Sequence, residues 1–434
     1  MCTLGLVSVG HAQIGGGQGG GIGGIGSIPG TPFGGANDPS NVPITDGLHV
    51  IPFISVTERY DSNVFFRARS LGLDRSDYVT SVAPQIRGLY GGRAMTVNAT
   101  VGANAEYYVK NPNFNYVGTN AALILDLSPT LSRLWKGTTF TVVDRFRYTP
   151  QPPSFLVGNQ EGDTSNPFLT GQQVGRVNST SNTVGATVGA PLTETLSLTG
   201  GYSYGFLRFG SSQVQQSVTL LDSSFQTFTV GMLMKTSPQD SVTLNFIDQE
   251  FRYEQNGGSF SSKGGIVGWN HAFSPAVTLA SSAGATAIER RFSGSSTGSS
   301  STVAPRSNVV LTWKDQTTSL TMAYGLTVVP SNQSTPQLLL TNFVTLSVTQ
   351  VTSIPELVGV ASMNYGRGDQ IGSTSVNAVS YRSYAASGGM VYKFTPQTFL
   401  NVSYQYANYD NQFGTTTNSF DRHVVFVNIA QAFF

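Results

Sequence analysis

The stretch Met95-Thr96-Val97-Asn98-Ala99-Thr100-Val101-Gly102-Ala103-Asn104-Ala105-Glu106-Tyr107-Tyr108-Val109-Lys110 decides the fold. Met95, Val97, Ala99, Val101, Ala103, Ala105, Tyr107 and Val109 fall on one side of an extended chain, and Thr96, Asn98, Thr100, Asn104, Glu106 and Lys110 on the other. A period of two residues belongs to a β-strand, whose successive side chains leave on opposite faces. The pattern returns downstream. Leu196, Leu198, Tyr202, Tyr204 and Phe206 oppose Thr195, Ser197, Thr199 and Ser203; Leu320, Met322, Tyr324, Leu326 and Val328 oppose Thr321, Ala323, Gly325 and Thr327; Leu400, Val402, Tyr404 and Tyr406 oppose Asn401, Ser403, Gln405 and Ala407.

From about His49 to Phe434 some eighteen such segments follow one another. The links between them alternate in length. Short ones read Tyr90-Gly91-Gly92-Arg93, Ser128-Pro129-Thr130, Ala190-Pro191-Leu192-Thr193, Ser237-Pro238-Gln239-Asp240, Ser274-Pro275-Ala276, Lys314-Asp315-Gln316, Gln350-Val351-Thr352 and Thr395-Pro396-Gln397. The others are mostly longer and rich in Gly, Ser, Asn and Gln. A sheet whose two ends differ this consistently faces two compartments, as a β-barrel crossing an outer membrane does.

A soluble β-sandwich alternates too, so the faces have to be weighed. Here the polar face is Ser, Thr, Asn and Gly rather than the Lys and Glu of a soluble surface, and charged residues are only 11% of the chain. Tyr107, Tyr148, Tyr204, Phe206, Tyr404 and Tyr406 sit near strand ends, where an interfacial girdle belongs. No run approaches the ~18 apolar residues of a membrane helix. In hydrocarbon every backbone group needs a partner, so the sheet must close. The expected fold is all-β: a transmembrane antiparallel up-and-down barrel of about eighteen strands. An even count puts both termini on the side of the short turns, the periplasm.

Two charges resist this scheme. Asp144 shares a face with Phe140, Val142, Phe146 and Tyr148, and Asp248 with Val242, Leu244 and Phe246, so a bulge, a rim position or a register change is expected at each. The last strand is ambiguous: Phe434 is in step with Ala432, Ala430, Asn428 and Phe426, whereas Val425, Val427, Ile429 and Phe433 form the more apolar set.

Residues 1–13 read as the end of a secretory signal, apolar from Leu4 to Val9 and small-residued up to Ala12, without the charged start. Residues 14–48, with runs such as Gly15-Gly16-Gly17 and four prolines, read as a flexible periplasmic arm; the barrel follows over 49–434. The single cysteine, Cys2, lies in the signal segment, so the mature chain has no disulfide, Cys-X-X-Cys-His haem site or thiolate metal site, and no cofactor is expected. With 24 basic and 23 acidic residues there is no surplus charge for nucleic acid.

Ile54-Ser55-Val56-Thr57-Glu58-Arg59-Tyr60-Asp61-Ser62-Asn63-Val64-Phe65, then Asp77-Tyr78-Val79-Thr80-Ser81-Val82-Ala83-Pro84, resembles the N-terminal pattern of the β-barrel porin 2 family. Gly92-Arg93 and the strand ending Tyr107-Tyr108 are similar to it as well. The resemblance implies an outer-membrane, pore-like protein, and some members of the family are associated with exopolysaccharide and exosortase systems. Phe434 resembles the C-terminal aromatic that the barrel-assembly machinery reads in many outer-membrane proteins, although Asn428 departs from that pattern.

The link from about Pro150 to Arg176 is the longest and the third on its side. General porins and sugar porins fold their third loop into the lumen, and this one is similar in ordinal position. It carries Glu161 and Asp163, while Arg145 and Arg147 share the lumen-assigned face of Thr139 and Thr141. Opposed charges in a narrow pore make a transverse field that sorts solutes. Two arrangements stay open: an eyelet with Glu161 or Asp163 across from Arg145 and Arg147, and an outer loop with incidental charges. Glu106 and Lys110 are further lumen candidates; Tyr108 either stacks on a sugar ring or packs a folded loop. Asp421 and His423 lie near the outer mouth, but no nucleophile motif accompanies them and the histidines lack metal-ligand spacing, so neither catalysis nor a metal is expected.

The function these residues support is a channel for passive diffusion of small hydrophilic solutes or saccharides, set among lipid and lipopolysaccharide and acting alone, as a homo-oligomer or with a periplasmic partner. The rivals are an export conduit or accessory barrel for exopolysaccharide, and a structural barrel that sheathes a partner such as an electron-transfer cytochrome.

Overall fold

The computed structural model describes residues 46–66, 76–149, 177–212, 220–254, 258–291, 299–331, 337–371, 379–413 and 416–433. The strands are β1 Gly47–Asp61, β2 Asp77–Gly91, β3 Thr96–Tyr108, β4 Tyr116–Asp126, β5 Thr139–Thr149, β6 Val177–Pro191, β7 Leu196–Ser212, β8 Ser223–Lys235 and β9 Asp240–Tyr253. They continue as β10 Ser259–Ser274, β11 Val277–Arg291, β12 Ser299–Lys314, β13 Thr318–Ser331, β14 Gln337–Val351, β15 Leu357–Gln370, β16 Val379–Lys393, β17 Thr398–Phe413 and β18 Thr416–Ala432. Each pairs antiparallel with its chain neighbours, and β18 pairs with β1 from Phe53↔Ala432 to Asp61↔Val424. The 18-stranded sheet is therefore a closed ring, with no edge strand left to template aggregation.

The wall sorts its residues as the two-residue period requires. On β17, Val402 and Tyr404 are exposed on the outside while Asn401, Ser403 and Gln405 are buried inside. Outside stand Val230, Leu244, Phe246, Val267, Met322, Met363 and Met390; inside stand buried Ser55, Thr57, Thr100, Thr243, Asn245 and Thr286. The last strand resolves the same way: Val425, Val427 and Ile429 face out, and Phe426, Asn428, Ala430 and Ala432 face in. Phe434 lies outside the described residues, as do residues 1–45, the segment expected to be signal and most of the arm. β1 begins at Gly47, two residues earlier than the boundary read from sequence.

β1 starts, and β18 finishes, at the end of the ring that carries the short links. One of those links departs from expectation. Ser128-Pro129-Thr130 is not a tight turn but the start of α1, Ser128–Leu134, within a link that runs over 127–138. Proline's fixed φ suits the second position of a turn and the first turn of a helix equally, so the tripeptide alone could not separate them. Ser128 Oγ then accepts from Phe140 N at 2.9 Å, tying the helix to the foot of β5. At the other end the link between β17 and β18 is the exception, spanning only 414–415.

The two misplaced acids have different explanations. Asp248 is paired with Lys263 on the outer face, Nζ to Oδ2 at 3.6 Å. Below it on β9 come Phe246, Leu244 and Val242, and then Asp240, which is bonded to His271 at 2.7 Å and to Trp269 Nε1 at 3.0 Å. Asp240 to Asp248 is roughly eight steps of about 3.3 Å, and at a tilt of ~40° this is about 20 Å of height, close to the ~25 Å apolar band of an outer-membrane barrel. Asp248 is thus a rim residue. Asp144 is not: β5 keeps an unbroken register with β4 and β6, so the expected bulge or register change is absent. The carboxylate faces outward beside Leu123 and Val184 and accepts from Asn182 Nδ2 at 2.8 Å. A hydrogen bond from the neighbouring strand, rather than a backbone defect, is what accommodates it.

Candidate functional site

The inner wall is most polar where the ring closes. Reading directly paired positions across β17, β18, β1, β2 and β3 gives Asn401, Asn428, Thr57, Ser81 and Glu106, every one buried and inward-facing. Asn428 Nδ2 donates to Thr57 Oγ1 at 2.7 Å, and Ser81 Oγ to Asn104 Oδ1 at 2.5 Å. Both amide atoms of Asn401 are buried without a hydrogen-bond partner. Apart from Glu106 at its β3 end, the belt is made of amides and hydroxyls and offers donors and acceptors without fixed charge, which is what solutes that must shed part of their water need from a pore wall.

Two residues towards the long-loop end the belt becomes charged. Arg59 reaches Glu106 with both guanidinium arms, Nη1 to Oε1 at 3.4 Å and Nη2 to Oε2 at 3.1 Å. Tyr108 OH donates to Glu106 Oε2 at 2.6 Å. Asp61 receives Arg422 in a bidentate pair, Nε to Oδ1 at 2.9 Å and Nη2 to Oδ2 at 2.5 Å, and also the Asn63 backbone N–H at 3.0 Å. Arg59 Nε stands 4.0 Å from Asp61 and joins the two halves. Arg422 further lies over the Phe66 ring, 4.6 Å from its centroid. Buried charges survive only when paired and hydrogen-bonded, and fork-to-carboxylate geometry supplies both. The network pins the start of the β1–β2 link, Ser62–Phe66, into the mouth.

Of the residues singled out from sequence, Glu106 and Tyr108 are in this network. Tyr108 is 3% exposed and packs with Val64, Phe65, Val79 and Phe114, meeting the Phe114 ring edge-on at 6.0 Å. Arg147 projects into the lumen within electrostatic reach of Tyr116 and Glu106. Arg145 is on the same face, two residues lower and exposed. Lys110 is displaced from the wall: β3 ends at Tyr108, and the lysine sits exposed beyond it with Nζ on Ser76 Oγ at 3.1 Å. It is a mouth residue, because the 109–111 backbone turns away to bond Asp77. Glu161 and Asp163 lie outside the described residues. His423 stands on the outer face, its Nδ1 2.8 Å from Tyr404 OH and its Nε2 3.5 Å from Asp421. Among the described residues no three His, Cys, Asp or Glu side chains cluster as a metal site would require.

Sequence reasoning missed Arg59, Asp61 and Arg422, and it missed the apolar packing of the mouth. On one side Leu207, Phe225, Phe251, Tyr253, Phe260 and Ile288 form a cluster; on the other Phe66, Leu339, Tyr381, Tyr409 and Phe420 form a second. One signal was available: Leu338-Leu339-Leu340 breaks the polar–apolar alternation, as a strand buried on both faces does.

No family model matches the sequence, and no curated protein matches it. Among solved structures the chain is similar to Pseudomonas aeruginosa OccK2 (OpdF), at 11% identity and a TM-score of 0.47, over 89% of this chain and 99% of that one. The same protein in complex with glucuronate gives 11% identity and 0.47 over 90% and 100%. Acinetobacter baumannii OccAB4 gives 12% identity and 0.43 over 90% and 99%. At these TM-scores the likeness says nothing about what passes through this barrel.

Proposed function

We propose that the protein is an outer-membrane, porin-like channel for passive diffusion of small hydrophilic solutes. The observation that carries this is the sorting of the closed wall, with Val402, Tyr404, Leu244, Phe246 and their like outside and the Asn401–Asn428–Thr57–Ser81–Glu106 belt inside. Only a barrel in lipid has reason to be inverted in this way, since each outward apolar side chain left in water forgoes about 1.5–3 kcal/mol of burial. The short links and both chain ends then face the periplasm, and the charged rim at Asp248 and Lys263 lies among lipopolysaccharide head groups. Membership of the β-barrel porin 2 family, secretion by way of residues 1–13, a periplasmic arm over 14–48 and delivery by the barrel-assembly machinery belong to the same reading.

Selectivity resides in the charged tier. Arg145 and Arg147 on one wall, Glu106 on the neighbouring one, and Glu161 or Asp163 of the third long link form the constriction field in this reading. The apolar clusters at the mouth favour compact solutes such as monosaccharides over a polymer. Conductance of the purified protein in planar bilayers tests the proposal: step-like openings in KCl that a permeating sugar partly blocks support it, and a persistently silent bilayer overturns it.

A further inference from the structure

Between β12 and β13 the wall comes apart. Their ladder runs from Lys314↔Ser319 to Ser307↔Leu326 and stops, although β12 continues to Ser299 against β11 and β13 to Ser331 against β14. The cause can be read from the backbone. Lys314 N donates to Ala276 O on the β11 side, so even-numbered residues of β12 direct their N–H groups to β11 and odd-numbered ones to β13. Val351 N donates to Thr317 O, so odd-numbered residues of β13 serve β14 and even-numbered ones serve β12. Carrying the register forward would set Pro305 opposite Val328, and Val303 opposite Pro330. Both imide nitrogens would face the other strand, and neither has a hydrogen to give.

Beyond the break the β13–β14 hairpin steps inside the ring. Leu338 pairs with Pro330 and shares the outward parity of Tyr324 and Met322, yet it is 3% exposed and packs with Phe260, Ile288 and Ala304, which look into the lumen from β10, β11 and β12. Val328 joins the same cluster. Leu339, of opposite parity, faces Phe66, Tyr381 and Tyr409. The hairpin end is thus lapped under β10–β12, and the overlap is apolar. At its foot Arg306 faces the lumen, with Nη2 donating to Thr327 Oγ1 at 3.3 Å. Near its top Arg290 donates Nη2 to Ile371 O at 2.7 Å, while its Nε is buried without a partner. Among the described residues neither guanidinium has a carboxylate within ion-pair distance, in contrast to Arg59 and Arg422.

We infer that this lapped seam is a binding site and lateral port for an anionic single-chain amphiphile, a long-chain carboxylate. Its head group takes Arg306, replacing the neutral Thr327 hydroxyl with a charge-assisted bond. Its tail replaces Val328 and Leu338 against Phe260, Ile288 and Ala304. An alkyl tail gains nothing from the amide belt below, whereas the unzipped edge gives it a way sideways at the outer rim, where the apolar band begins. The binding stands on the seam alone; only the direction of release rests on the membrane reading.

The full chain in amphipol is titrated with 11-(dansylamino)undecanoate, whose fluorescence rises in apolar surroundings. Saturable binding is expected, weakened at least tenfold by Arg306→Ala, kept within threefold by Arg306→Lys, and weakened at least tenfold when the probe's carboxylate is made a neutral amide. Pro305→Thr/Pro330→Thr restores both donors and zips the seam, so it is expected to weaken the probe at least tenfold while KCl channels persist. Equal affinity of wild type, Arg306→Ala and the double threonine variant overturns the site, as does equal binding of acid and amide. Loss of KCl channels in the wild type would instead strike at the diffusion reading and leave the seam standing.

Discussion

Arg422 closes on Asp61 in a buried bidentate pair although the two residues are 361 positions apart in the chain. They sit on the last and first strands, so this contact exists only once the ring is shut. Removing one member of a buried pair strands the other, at a cost of about 3–5 kcal/mol. Arg422→Met and Asp61→Asn should each lower the unfolding free energy of the detergent-solubilised barrel, extrapolated from urea titration, by that much. The double variant should recover a good part of the loss; a double variant as weak as the sum of the singles would deny the coupling.

Selectivity should move in opposite directions for the two signs of lumen charge. Glu106→Gln leaves Arg59 and Arg147 less neutralised, so the reversal potential in a KCl gradient should shift towards anions; Arg147→Gln should shift it towards cations. Shifts of the same sign, or none, would remove this tier from the conduction path.

The hydrogen bond from Asn182 is what makes Asp144 tolerable on the outer face. Asn182→Ala should therefore destabilise the barrel by about 1–3 kcal/mol, as expected for a carboxylate left without its donor. Asp144→Val/Asn182→Val should be neutral or stabilising, because both polar groups leave together. Unfolding from lipid vesicles orders the two variants.

Gly368 lies beneath a tyrosine. It pairs with Tyr381 across β15 and β16, and a Cβ there would clash with the ring. Gly368→Val should tilt the ring off its bond to Thr341, 3.2 Å away, and cost about 1–3 kcal/mol by overpacking. Tyr381→Phe removes only the hydroxyl and should cost less, about 0.5–1.5 kcal/mol. The reverse order would show that the ring does not depend on the glycine.

The strand period was legible because a side chain's face follows from its neighbours two residues away, and so were the strand number and the ordinal place of the 150–176 link. The charged tier was not. Arg59 finds Glu106 two strands away on β3 through the register of β1, β2 and β3, and Asp61 finds Arg422 on β18 only through the ring's closure, so neither partner is set by spacing. Lys110 was misplaced because the period gives no notice that β3 stops at Tyr108. Pro305 and Pro330 were visible all along, but the meaning of a proline in a strand depends on which neighbour its nitrogen faces, and that requires the register.

The lapped joint divides the ring by what sets its girth. At the short-turn end eighteen ladders, irregular only at Ala272–Ser274 among the described residues there, fix the circumference, since a wider or narrower ring would need a strand more or fewer. At the mouth one junction is held by the packing of Leu338, Val328, Phe260 and Ile288 rather than by a ladder, so a change of perimeter there need break no backbone hydrogen bond between β12 and β13. Such packing weakens on cooling whereas the ladders do not rely on it, so the bore at the mouth should answer to temperature while the base keeps its gauge.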